Sequence, residues 1–131
     1  ARAGGTIDEF VSRGGVAVIN VGGPGTDQVD IAPRGVDFVT GTTHNALTIA
    51  APAHPYFNGA EFGGATLQAS QFANWQPTDY GVLGEVPDDA TVLLRSTDGP
   101  AMVEYRHGLG RVIVSTVAFC WSSRTATQGP P

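Results

Sequence analysis

The most regular hydrophobic pattern in the chain runs from Thr91 to Thr116, TVLLRSTDGPAMVEYRHGLGRVIVST. Three apolar, β-branched runs (Val92 to Leu94, Met102 to Tyr105, Val112 to Val114) are separated by Ser-Thr-Asp-Gly-Pro and His-Gly-Leu-Gly. Short apolar runs bounded by Gly and Pro form strands joined by tight turns, so this stretch predicts an antiparallel three-stranded meander. Gly99, Gly108 and Gly110 are expected to supply the positive φ values of those turns.

Near the start of the chain the period changes. Ile7, Phe10 and Val11 fall at helical spacing on one face. Thr6-Ile7-Asp8-Glu9 has the form of a capping box, and Gly14-Gly15 stops the helix. Val16 to Val21, VAVINV, then has the continuous apolar character of a strand covered on both faces. Helix, glycine pair and strand make an α/β unit. Such a unit expects a further strand before its helix, which implies either a helix packed without one or a preceding half-domain.

The middle of the chain is less periodic. Gly22-Gly23-Pro24-Gly25 reads as a plain loop: Pro24 removes an amide donor and no helix follows, which argues against a phosphate cradle. Val36 to Thr40 and Ala46 to Ala51 are predicted strands on either side of the polar loop Thr42 to Asn45. His54-Pro55 sets a turn whose aromatic pair, Tyr56 and Phe57, packs down on the sheet. Residues 60–81 read as a long structured loop with a strand at 65–69, and Pro87-Asp88-Asp89 as the turn into the meander. Phe119 to Trp121 extend or close the last strand, and 122–131 form a flexible or draped tail. The expected architecture is a single α/β domain over 1–121. It has a mixed β-sheet, few helices and a C-terminal antiparallel meander, in a reduced flavodoxin-like arrangement.

Composition sharpens this. A chain of 131 residues has the size of one domain, and 18 Gly with 9 Pro favour strands and loops over a helical bundle. The net charge of −5, with arginine as the only basic residue besides histidine, argues against nucleic acid, which requires a basic face. No apolar run approaches the ~18 residues of a membrane span. Cys120 stands alone, which excludes an internal disulfide and any two-cysteine metal site. The chain lacks an initiator Met, as a mature secreted product or an excised domain would.

The order of features resembles a known family. FVSRGGVAVINV is followed by His54-Pro55 with Gly59, then by an aromatic stretch with Trp75. The Gly99 to Tyr105 strand, a His-Gly-x-Gly turn and an Arg-Val-x-Val strand complete the series. This is similar to the C-terminal half of class I glutamine amidotransferase-like domains. The nearest branch is the non-amidotransferase one that includes trehalose-utilisation (ThuA-like) proteins and modules of large bacterial extracellular proteins. The resemblance implies the sheet of that fold and an extracellular or cell-surface location. It does not bring the chemistry: Cys120 has no flanking glycine, and no His-x-Glu pair exists.

Several residue groups carry candidate chemistry. His44, His54 and His107, with Asp79 or Glu104, form a metal hypothesis. No pair has i, i+2 or i, i+4 spacing, so only the fold can assemble such a site. Cys120, between Phe119 and Trp121, reads as a small buried hydrophobe rather than a nucleophile. Asp88-Asp89 with Glu85 is the acid pair of a hydrolase reading, and more simply a solvated turn. Trp75, flanked by Asn74 and Gln76 and joined by Tyr56 and Tyr80, is the candidate platform for stacking on sugar rings. Finally, VAVINV carries no Lys or Pro to guard it as a sheet edge. Val16, Val18, Ile19 and Val21 are therefore the candidate interface. The function expected is a non-catalytic structural or interaction module without cofactor, working through a homo-oligomer or the remainder of a larger precursor. Carbohydrate binding, with a polysaccharide partner, is the alternative, and a small hydrolase or metal-binding protein the third reading.

Overall fold

Helix α1 (Ala3–Ser12) ends on its glycine pair through a Schellman motif. Gly14 adopts φ +115 and donates to Val11 O at 2.9 Å, while Gly15 donates to Phe10 O at 3.0 Å. These residues belong to a computed structural model that describes residues 3–21, 32–40, 43–59, 63–64, 66–72 and 79–117. The helix starts before the expected cap, so Thr6 is helical and makes no capping box. Val11 is fully buried and Ile7 partly so, whereas Phe10, expected on the same face, is exposed.

The chain then forms β1 (Val16–Asn20), β2 (Phe38–Thr40) and β3 (Thr48–Ile49). After a 3₁₀ turn at Ala69–Phe72 come β4 (Gly81–Leu83), β5 (Thr91–Arg95), β6 (Pro100–His107) and β7 (Gly110–Ser115). The fold is α/β. A mixed five-stranded sheet runs in the order β1-β7-β6-β5-β3, and β2 pairs with β4 in a separate antiparallel ribbon. The expected meander is β5-β6-β7, antiparallel throughout, while β1 lies parallel to β7. The predicted strands at 36–40 and 46–51 shrink to β2 and β3. Of the predicted 65–69 strand, the described residues show only a bridge between Asn58 and Thr66, and β4 begins where the expected 60–81 loop ends. Residues 22–31, 73–78 and 118–131, which hold the Gly22 loop, Trp75, Cys120 and the tail, lie outside the described residues.

The inner strands are apolar on both faces because both faces are covered. On one side α1 and the β2–β4 ribbon pack over Ile19, Val21, Val103, Tyr105, Val112 and Val114. On the other, Phe57, Phe72 and Leu47 cover Leu93, Leu94, Met102 and Ile113. A register shift in β5 lets the consecutive Leu93 and Leu94 both be fully buried. Each such side chain contributes about 1.5–3 kcal/mol.

The β6–β7 turn is a two-residue loop, with Gly108 at φ +59 in its first position, where a type II′ turn needs glycine. Gly110 corrects the expectation made for it: it has no positive φ. Its role is close approach, since a Cβ there would lie 2.1 Å from both Gly15 O and Val11 O. Backbone cannot yield as a side chain can. G110A is therefore expected to cost about 3 kcal/mol or more in chemical denaturation. G14A, which strains φ but meets nothing within 4 Å, should cost about 1–2 kcal/mol.

Candidate functional site

Two features stand out once the sheet is built: its open border at β1, and three histidines each held by carboxylates. In β1 the odd residues face β7. Arg111 N donates to Gly15 O at 3.2 Å and Val21 N to Ser115 O at 2.7 Å. The N–H and C=O groups of Val16, Val18 and Asn20 therefore point away from β7, where no described residue pairs with them. The side chains of Val16 and Val18 are 60 and 65% exposed. This corrects the expectation of a strand covered on both faces. It also divides the candidate interface: Val16 and Val18 are available, whereas Ile19 and Val21 are buried in the core beneath α1.

The histidines do not converge. His107 Nε2 lies 2.7 Å from Asp8 Oδ1 and ties the hairpin to α1. His54 Nε2 lies 2.9 Å from Glu104 Oε1, while its Nδ1 accepts from the Tyr56 amide at 3.1 Å. His44 sits between two acids, with Nδ1 2.8 Å from Asp79 Oδ2 and Nε2 2.7 Å from Asp98 Oδ2. Its own amide donates to Asp79 Oδ1 at 2.8 Å, so a fully buried carboxylate fixes both the backbone and the ring. Among the described residues no group of three or more His, Cys, Asp or Glu is arranged to hold a metal ion. Glu104 and Asp79, offered as alternative carboxylates, serve different histidines.

Electrostatically the His44 cluster holds its protons. Burial opposes the charged imidazole, but hydrogen bonds to Asp98 and Asp79 outweigh it and raise the His44 pKa. Burial also raises that of Asp79, against the pull of His44. The cluster lies beyond the C-terminal end of the parallel pair, through the bridge between Asp79 and Val117, and stitches the 43–45 segment to the β5–β6 turn. Asp98 was missed at the sequence level, because nothing in Ser-Thr-Asp-Gly-Pro marks a partner 54 residues away.

The remaining candidates fall as follows. Asp89, in the turn after Pro87, pairs with Arg34 at 2.8 Å rather than with Asp88 or Glu85. Tyr56 packs edge-on against the buried Phe57, with centroids 5.1 Å apart, and is only partly exposed. Tyr80 is half-buried, its amide donating to Thr116 O at 2.9 Å. Asn74, Trp75 and Gln76, the centre of the sugar platform, lie outside the described residues. No described helix is long and apolar enough to cross a membrane.

No protein-family model matches the chain, and no curated protein matches its sequence. Its fold is similar to that of Cytoplasmic Protein STM3548 from Salmonella typhimurium, with a TM-score of 0.58 and 19% identity. The likeness covers 92% of this chain and 52% of that one, so the chain spans about half its neighbour's length. The neighbour is a cytoplasmic protein, which points away from the extracellular or cell-surface location expected from the sequence, and that expectation is withdrawn.

A raised His44 pKa means that the folded state binds the proton more tightly. Its contribution is complete below about pH 6.5, the unfolded value, and is lost as pH rises through the higher folded value. Denaturation followed from pH 6 upward should show stability falling, with the slope flattened in H44Q. An unchanged slope in H44Q would refute this.

Proposed function

We propose that the chain is a non-catalytic interaction module whose β1 edge receives a further strand from a partner polypeptide. The observation that carries this is the state of β1. A strand paired in parallel ordinarily lies inside a sheet with both faces covered. Here it stands at the border, with its outer N–H and C=O groups unpaired among the described residues and two valines in solvent. Exposed apolar edges pair with other chains unless blunted, and no Lys, Pro or bulge blunts Val16 to Asn20.

The occupant favoured is an α/β segment of another polypeptide that adds a parallel strand, rather than a second copy. Parallel pairing already runs through β1–β7, and a structurally similar protein is about twice as long. The resemblance to class I glutamine amidotransferase-like domains supports the same reading, since it matched only a C-terminal half. A non-catalytic reading is favoured because the three histidines are held by separate sets of carboxylates rather than gathered into one site.

Light scattering after size-exclusion chromatography, over a range of concentrations, tests this on the isolated chain. Broad, concentration-dependent association is expected, abolished in V18K without loss of thermal stability. A single stoichiometric dimer would identify a second copy as the occupant instead. A stable monomer at every concentration would remove the proposal.

A further inference from the structure

A different feature of the sheet, the C-terminal end of β6, stands apart from the argument for the β1 edge. Strand β5 begins at Thr91, opposite Glu104, so the last residues of β6, paired with β7 on one side, have no strand on their β5 side. The notch this leaves is a cavity of about 290 Å³ lined by Asp89, Thr91, Glu104, Tyr105, Arg106 and Arg111.

Register explains what faces it. Arg106 is the direct cross-strand partner of Arg111. Arg111 N turns toward β1, and Arg106 O turns the other way to accept from Arg34 Nη1 at 2.8 Å. The two arginines are thus a non-hydrogen-bonded pair, the closer kind, with Cα atoms about 4.5 Å apart and side chains on one face. Like charges directly opposite each other are destabilising. That is an odd use of cations in a chain with seven arginines and no lysine.

The acids of the notch relieve the pairing only on the Arg111 side. Asp89 is engaged by Arg34 at 2.8 Å. Glu104 is shared between His54 at 2.9 Å and Arg111 at 3.6 Å. No hydrogen bond or ion pair with a described residue occupies the Arg106 guanidinium. Arg34 itself adopts φ +67, a left-handed conformation unusual outside glycine, while bridging Asp89 and Arg106 O and lying 5.9 Å from the Tyr105 ring centroid. Local strain of this kind concentrates where a site is being shaped.

We propose that the notch binds a small oxyanion, the carboxylate or phosphate group of a small molecule, between the guanidinium groups of Arg106 and Arg111. Planar guanidinium forks match both groups with paired charge-assisted hydrogen bonds. A bound anion turns the repulsive pair into a clamp, with Glu104 holding Arg111 in place from behind.

The test uses inorganic phosphate and succinate as probes, followed by amide chemical shifts and calorimetry at ionic strength matched with sodium chloride. Saturable binding of at least one probe is expected, with shifts centred on Glu104 to Arg106 and Arg111. R106Q should weaken it about tenfold or more, and R111Q likewise, while R95Q on β5 leaves it unchanged. R106K, which keeps the charge and loses the fork, should bind more weakly than the native chain while retaining its fold. Which probe binds decides between phosphate and carboxylate. No saturable binding of either, or equal binding by R106Q, overturns the proposal.

Discussion

The structure depends on one joint, the parallel pairing of β1 with β7. It brings the C-terminus of α1, the glycine pair and the β6–β7 hairpin to a single point. There Gly110 lies so close to the carbonyls of Val11 and Gly15 that no side chain fits. Ser12 O accepts from Leu109 N at 3.0 Å across the same junction, and His107 reaches Asp8 beside it. Without this backbone-level contact α1 has no seat on the sheet, and the antiparallel meander has no parallel neighbour. The joint also sets the consequence: β7 becomes interior, β1 becomes the border, and the sheet stops on an apolar strand.

Much of this was legible in the sequence because it is local. The meander is written as three apolar runs cut by glycines, and the helix stop as Gly14-Gly15. A continuous apolar run, however, does not say on which side its cover lies. VAVINV therefore read as buried on both faces, although Val16 and Val18 face solvent. Strand β4 was invisible because its three residues gain strand geometry only from β2, some forty positions earlier. Gly110 looked like a turn residue because close approach between distant backbones leaves no trace in a local pattern.

The polar groups divide in the same way. Each histidine found its carboxylate through the fold, at separations that no spacing rule covers. The Arg106–Arg111 pair, by contrast, was open to counting. Once Gly108-Leu109 is taken as a two-residue turn, Arg106 must face Arg111. The signal was register rather than motif, and neither arginine belongs to a recognisable catalytic pattern.

The account rests on β1 being bonded along one side only. Residue-resolved hydrogen exchange on the dilute, monomeric chain examines that directly. The prediction is an alternation along the strand, with the amides of Ala17, Ile19 and Val21 protected by β7 and those of Val16, Val18 and Asn20 exchanging at nearly unprotected rates. Equal protection of both sets in the monomer would mean that the chain covers its own border, and would contradict the account.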